Sequence, residues 1–281
     1  MKKGYIIYAR EDLERNREFA QRFVKYGPEY GLDIGILKEE QIVYGIESGL
    51  PHCGVSPCDF AINRARNAYL ARFLEERGAR VFNSSEVTRL CNDKCAAYLF
   101  AVGKIPCLDT YILKRRDLLQ GAAKLCFFPC VIKQLTSHGG QKVFLCGNYA
   151  EAFNAAEQVD GEYAIVQRPL AEEGISDIRV FVMGNRIIGA VRRKAKDGIK
   201  ANFCQGGEIS LYEVGEKLKG YVERLTQKLY FDFVGMDFLT ADDEHFYFNE
   251  IEDAVGSRSL CILKGIDTSR IYLNYIKDIL K

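Results

Sequence analysis

Three acids near the end of the chain carry the first chemical signal. Asp237, Glu250 and Glu252 lie in FVGMDFLTADDEHFYFNEIEDAVGSR, residues 233–258. Two apolar runs, 234–239 and 246–248, flank a polar turn at 240–244, which is the pattern of a β-hairpin. Asp237 interrupts the first strand, and Glu250 and Glu252 follow the second with one residue between them. Side chains two apart on extended backbone share a face. The glutamates therefore point the same way, and Asp237 joins them from the neighbouring strand. Carboxylates gathered on one half-buried surface repel each other unless a cation holds them. Hard oxygen ligands in that number suit Mg²⁺ or Mn²⁺ carrying substrate phosphates. By themselves the same residues read equally well as the solvated end of an acidic hairpin.

Lys133 is the second signal. It stands inside the apolar run CVIKQ, where an unpaired ammonium is costly to bury. Either its head reaches water from an edge strand or it meets an anion. Ser137 and His138 follow, and then Gly139, Gly140 and Gln141. The two glycines allow backbone to approach an anion closely. A lysine-bearing strand, a glycine loop and a return strand at 143–146 make a hairpin that covers phosphate. Arg179, Arg192 and Arg193 fall on a middle hairpin, followed by Lys200, Asn202 and Gly206-Gly207, and alternation puts Asp177 and Arg179 on one face. Each basic residue alone reads as a solvated surface charge. Beside an acidic metal site the set suits phosphoryl transfer, whose transition state is stabilised mainly by positioned cations.

The elements that must hold these groups alternate early and then change character. Strands at 4–8, 32–37, 59–63 and 80–82, with helices at 11–26 and 64–77, predict a small parallel α/β unit ending near Asn83. It has neither the dinucleotide fingerprint nor the P-loop. Beyond it the pattern predicts a helix over 84–103, strands at 108–113, 129–134, 143–146 and 164–169, and a helix over 148–159. A hairpin of 177–183 and 186–193 turns at Gly184-Asn185, and helices follow at 216–230 and 269–280. At 281 residues two or more packed units are expected. Hydrophobic content of 48% with 27% charged residues is that of a globular protein, and the net charge of +1 favours neither nucleic acid nor membrane. No apolar run is long enough to span a bilayer, and MKKGYIIYARED turns charged too soon for a signal peptide, so a cytoplasmic location is expected. The ten cysteines include no C-x-x-C and only three histidines accompany them, which favours buried free thiols over a zinc site.

The order of these parts resembles the ATP-grasp superfamily, most closely the branch typified by the ribosomal protein S6 glutamate ligases. The motifs that carry the likeness are N-D-K, P-C-V-I-K, the glycine loop, D-I-R-V-F-V, N-F-x-x-G-G, G-M-D-F, N-E-I-E and a late G-I-D, spread from Ser84 to the C-terminus. The resemblance implies two α+β lobes, about 84–166 and 167–281, clasping ATP behind a pre-ATP-grasp unit of residues 1–83. It implies that Lys94 and Lys133 hold ATP phosphates and that Ser137, His138, Gly139, Gly140 and Gln141 fold over them. Gln167, Arg168 and Pro169 match the interdomain hinge beside the adenine, and Asp177 a further nucleotide contact. Arg193, Lys200 and Asn202 match residues near the transferred phosphate, with Arg179 grouped beside them as a catalytic cation. Asp237, Glu250 and Glu252 take the metal positions.

The reaction implied is ATP-dependent joining of a carboxylate to an amine through an acyl phosphate, with ATP and Mg²⁺ or Mn²⁺ as cofactors. The other readings are a kinase on the same fold and a nucleotide-binding regulator without turnover. The expected partners are a carboxylate and an amine, an amino acid or peptide, with no nucleic acid and no membrane; the oligomeric state stays open, a homo-oligomer among the options. The chain departs from the family pattern at Arg168, usually glutamate, at Lys200, usually arginine, and at Glu252, usually asparagine. Residues 255–258, Val-Gly-Ser-Arg, replace a proline-glycine turn where such enzymes receive substrate. Substrate identity is therefore not transferred.

Overall fold

A computed structural model describes residues 1–121, 127–137, 142–170, 174–194 and 208–281. The chain opens with β1 (Lys2–Tyr8), α1 (Arg10–Arg15), α2 (Arg17–Tyr26), β2 (Leu32–Lys38), β3 (Tyr44–Glu47), β4 (Leu50–Cys53), β5 (Phe60–Asn63), α3 (Ala68–Glu76) and β6 (Arg80–Phe82). Strands β2, β1, β5 and β6 form a parallel sheet in that order. All four residues of β5 are buried, as a central parallel strand covered on both faces requires. Alternation divides β1 between two cores. Ile6 and Tyr8 pack towards α2, while Ile7 packs with Leu70, Ala71 and Leu74 of α3.

The helix expected over 11–26 is broken into two, and the one expected over 64–77 starts later than expected. Asn16 leaves helical geometry and separates α1 from α2. Residues 64–67 are irregular, with Arg66 at φ 59°, and α3 begins only where the Asn67 side chain accepts from the Leu70 amide at 2.9 Å. That is a side-chain cap, and it fixes the start. The hairpin β3–β4 was not anticipated; it turns through Ser48-Gly49, both at positive φ.

The second part holds α4 (Ser85–Cys91), α5 (Lys94–Ala101), β7 (Thr110–Lys114), α6 (Arg115–Leu119), β8 (Cys130–Gln134), β9 (Val143–Cys146), α7 (Tyr149–Gln158) and β10 (Tyr163–Gln167). The single helix expected over 84–103 is two. Asn92 closes the first, and Asp93 caps the second by accepting from the Ala96 amide at 3.1 Å. Lys94 is thereby the first residue of a new helix. Strands β7, β10, β8 and β9 form an antiparallel sheet whose core of Ile132, Ala152, Ala155 and Val166 is closed by α7.

The chain ends with β11 (Ser176–Met183), β12 (Arg186–Lys194), β13 (Glu208–Leu211), α8 (Glu216–Thr226), β14 (Phe233–Thr240), β15 (Tyr247–Glu252), α9 (Arg258–Lys264) and α10 (Thr268–Ile279). Its antiparallel sheet runs β13-β12-β11-β14-β15. The turn at Gly184-Asn185 has positive φ at both residues, as a two-residue hairpin turn requires. One face of the sheet, including Ile178, Val180, Met236 and Phe238, packs on α5 and α8. On the other face Phe181, Val191 and Phe233 pack with Phe23, Phe60 and Phe82 of the N-terminal unit and with Tyr272 and Leu273 of α10. The apolar core thus runs across residue 83. Eight described cysteines are free, and all are buried or half-buried. Among the described residues no helix is long and apolar enough to cross a membrane.

Candidate active site

The site grows from the unfilled end of that second face. Register places Asp177 opposite Arg193, Arg179 opposite Asp237, Asp237 opposite Glu250, and Gly235 opposite Glu252. Residues directly opposite in an antiparallel pair share a face, so three acids expected together on the last hairpin meet Asp177, Arg179 and Arg193. The acids Glu250 and Glu252 lie within β15 rather than after it. A bulge makes this possible: Asp237 pairs with Glu250 and Phe238 with Phe248, which leaves Asn249 as the extra residue. Without it Phe248 and Glu250 would share a face. With it Phe248 fills the apolar core and Glu250 faces the charges.

The charges are clamped to one another. Arg179 donates through Nε to Asp237 Oδ1 at 2.8 Å and through Nη2 to Oδ2 at 2.6 Å, and its Nη1 lies 2.6 Å from Glu252 Oε2. Arg193 donates to Asp237 Oδ2 at 2.6 Å and also to Asp177. Gly235 leaves room for this: a Cβ there would stand 2.7 Å from Val255 Cγ2 and 3.2 Å from Arg179 Cδ. Burial opposes the Asp237 charge, but the two guanidiniums outweigh it and hold its carboxyl below the usual range. Burial pushes Asp177 up to about 7 against the pull of Arg193, and the Asp237 charge adds to the rise.

The lysines arrive from the neighbouring sheet and helix. Lys133 Nζ donates to Gln167 Oε1 at 2.8 Å and to Asn249 Oδ1 at 3.2 Å, and lies 3.5 Å from the Tyr98 hydroxyl. Gln167 Nε2 in turn donates to Tyr98 and Thr110 hydroxyls at 2.9 and 2.8 Å. Burial brings Lys133 down to about 8, with Glu250 opposing the shift. Lys94 Nζ sits 3.8 Å from Glu250 Oε2 and donates to the Ser137 carbonyl. Burial also lowers Lys94 and raises Glu250. Lys133 of the middle sheet and Lys94 of α5 therefore meet Asn249 and Glu250 of the last hairpin.

Residues 92–276 match the RimK-like ATP-grasp domain. The chain belongs to that family. Among curated relatives it is 25% identical over 265 residues to an uncharacterized protein, the MG011 homolog, of Mycoplasma pneumoniae, covering 92% of this chain and 86% of that protein. It is 28% identical over 226 residues to the glutamate–LysW ligase ArgX of Sulfolobus acidocaldarius, covering 77% and 79%. It is 26% identical over 215 residues to human beta-citrylglutamate synthase B, covering 74% of this chain and 56% of that protein. A RimK-domain ATP-grasp protein from Sphaerobacter thermophilus shares the fold at TM-score 0.74 with 19% identity over 98% of both chains. D-alanyl-alanine synthetase A of Vibrio cholerae shares it at TM-score 0.72 with 12% identity over 99% and 98%. The activity class of this ATP-grasp protein is ATP-dependent carboxylate–amine ligation, an enzymatic formation of a carbon–nitrogen bond.

Within this ATP-grasp chain several expected residues stand elsewhere. Arg192 points to the opposite face, pairs with Asp243 at 2.5 Å and lies over Tyr212, so it is no part of the arginine cluster. Arg168 is half-exposed, 3.2 Å from Asp109 and stacked on Phe127, and Pro169 follows it beyond β10. His138, Gly139, Gly140, Gln141, Lys200 and Asn202 lie outside the described residues. Sequence reasoning missed Tyr98, one helical turn from Lys94, and Asn249, whose position depends on the bulge. The metal expectation fits in part. Glu250 and Glu252 supply hard oxygens on one face beside the lysines, as a divalent cation carrying phosphate needs. Asp237 is committed to two arginines, and among the described residues no three such side chains stand ready to enclose an ion. Asp177 Oδ1 and Arg193 Nε, both buried, have no protein partner among the described residues. Such orphans suit a further polar group at the site.

Proposed function

We propose that the protein joins a carboxylate to an amine through an acyl phosphate, with Lys94 and Lys133 holding ATP phosphates and Glu250 and Glu252 holding Mg²⁺ or Mn²⁺. The observation that carries this reading is the meeting of Lys133 with Asn249 at 3.2 Å and of Lys94 with Glu250 at 3.8 Å. A triphosphate laid between them would replace protein–protein contacts with charge-assisted ones. Substrate carboxylate oxygen attacks the γ-phosphorus, and the bond to ADP breaks. In this reading Arg179 and Arg193, which meet Asp177, Asp237 and Glu252, offset charge on the transferred group. The amine nitrogen then attacks the acyl carbon, phosphate leaves, and one proton from the nitrogen goes to solvent. A bound divalent cation supplies charge neutralisation on the phosphate oxygens.

Residues 1–83 form the unit ahead of the ATP-grasp core in this reading, with lobes at about 84–166 and 167–281. Glutamate figures in the names of the LysW ligase and the citrylglutamate synthase, which makes it the first amine to try, with acidic small molecules and peptides ending in glutamate as carboxylates. The test is ADP release by purified protein with ATP, Mg²⁺ and paired carboxylates and amines. The reading requires ADP and amide in equal amounts, lost in Glu250→Gln. A stable phosphorylated product formed without amine would replace it with a kinase, and nucleotide binding without any ADP would replace it with a regulator.

A further inference from the structure

The N-terminal sheet ends against the acidic hairpin. Its strand order reverses direction between β1 and β5, and in open α/β sheets the carboxyl ends at such a point are where functional contacts collect. Arg64 follows β5 there. It is 5% exposed, and Nη2 donates to the carbonyls of Ala254 at 3.1 Å and Val255 at 2.9 Å. The rings of Tyr8 and Phe19 stand 5.7 and 5.5 Å from the guanidinium and orient it. Asn83, at the end of β6, adds a second tie: its Nδ2 donates to the carbonyls of Phe233 at 2.8 Å and Asp253 at 3.2 Å. Its Oδ1 accepts from the amides of Asp232 and Phe233 at 2.9 and 3.0 Å.

These ties bear on the charges through packing. Val255, held by Arg64, fills the space over Gly235 beside the Arg179 side chain, and Arg179 grips both Asp237 and Glu252. We propose that Arg64 is a positioning residue: from the N-terminal sheet it fixes the backbone just after Glu252, and so sets where Glu252 and Arg179 stand at the site. The inference rests on the site assignment of the proposed function. Outer contacts of this kind orient the groups that hold a cation.

The test uses full-length Arg64→Met, Arg64→Lys and Glu250→Gln. One readout is amide hydrogen exchange over residues 250–258 in metal-free protein. The other is the ATP-induced rise in melting temperature titrated against Mg²⁺. Arg64→Met is expected to speed exchange across 253–257 and to raise the half-saturating Mg²⁺ about tenfold, the lower end for lost outer-shell partners. At saturating Mg²⁺ the ATP-induced shift should be restored. Arg64→Lys should recover part of both, because an ammonium still reaches one carbonyl. Loss of melting temperature alone, with Mg²⁺ dependence unchanged, overturns the proposal, and so does unchanged exchange. Should Arg64→Met fail to fold, the same two outcomes are read from Arg64→Lys. If Glu250→Gln keeps the wild-type Mg²⁺ dependence, the acid assignment fails instead, and exchange still decides whether Arg64 holds the segment.

Discussion

Replacing Asp237 with asparagine separates two accounts of the acidic cluster by sign. If the carboxylates merely repel one another until a cation arrives, removing one charge stabilises the metal-free protein. In the folded chain, however, Asp237 is fully buried and receives Arg179 through two bonds and Arg193 through a third. Removing one partner from a buried ion pair typically costs 3–5 kcal/mol, because the other charge stays buried. Arg179 keeps Glu252 and Arg193 keeps Asp177, so the expected loss lies at the low end, about 3 kcal/mol. For a chain of this size that corresponds to a melting temperature lower by roughly 6 °C, at about 2 °C per kcal/mol. The measurement is thermal and urea unfolding of Asp237→Asn after chelation, at pH 7.5, beside the wild type. The depressed folded pKa also fixes a pH window. The Asp237 contribution is present above the unfolded value of roughly 4 and is lost as pH falls through the folded one, so wild type and variant should converge in acid. A metal-free Asp237→Asn protein as stable as the wild type, or more so, would refute the arginine clamp.

Lys133, brought down to about 8 by burial, should lose its charge above that pH, so ATP–Mg²⁺ affinity measured by calorimetry falls as pH rises from 8 to 9.5. Its folded pKa is below the unfolded one, so the unfolded chain binds more protons between about 8 and 10.4, and this group's contribution to stability rises with pH there. Lys133→Arg should remove the inflection in binding. Gly235→Ala forces a Cβ to within 2.7 Å of Val255, and overpacking of this kind should cost about 2 kcal/mol in unfolding and depress ADP release. Arg192→Ala removes a partly exposed pair with Asp243, and should cost under about 1 kcal/mol and leave ADP release unchanged.

Much of this was legible because period-two alternation survives burial. Asp177 with Arg179 and Glu250 with Glu252 could be placed on common faces from spacing alone, and register bears both out. The same rule should have sent Arg192 away from Arg193, and grouping them by proximity in sequence was the error. What spacing cannot carry is contact made across the fold. The Tyr98–Gln167–Lys133 network joins three elements, and Arg64 meets carbonyls 190 and 191 residues away. The bulge at Asn249 reverses parity within one strand and leaves no mark in composition. The helix start at Ala68 was misplaced because Ala, Leu, Arg and Glu content outweighed the capping asparagine. The break at Asn92-Asp93 was read through because a cap at Ser84 and a stop at Gly103 framed one helix.

The aromatic layer formed by Phe23, Phe60, Phe82, Phe181, Phe233 and Tyr272 draws on both ends of the chain and on its middle. Neither terminal region can bury its own share of these rings when made alone. A fragment beginning at residue 84 would present the rings of Phe181, Phe233 and Tyr272 to water and aggregate. Cutting this enzyme for study therefore has to spare that layer, which ties the last helix to synthesis of the first strand.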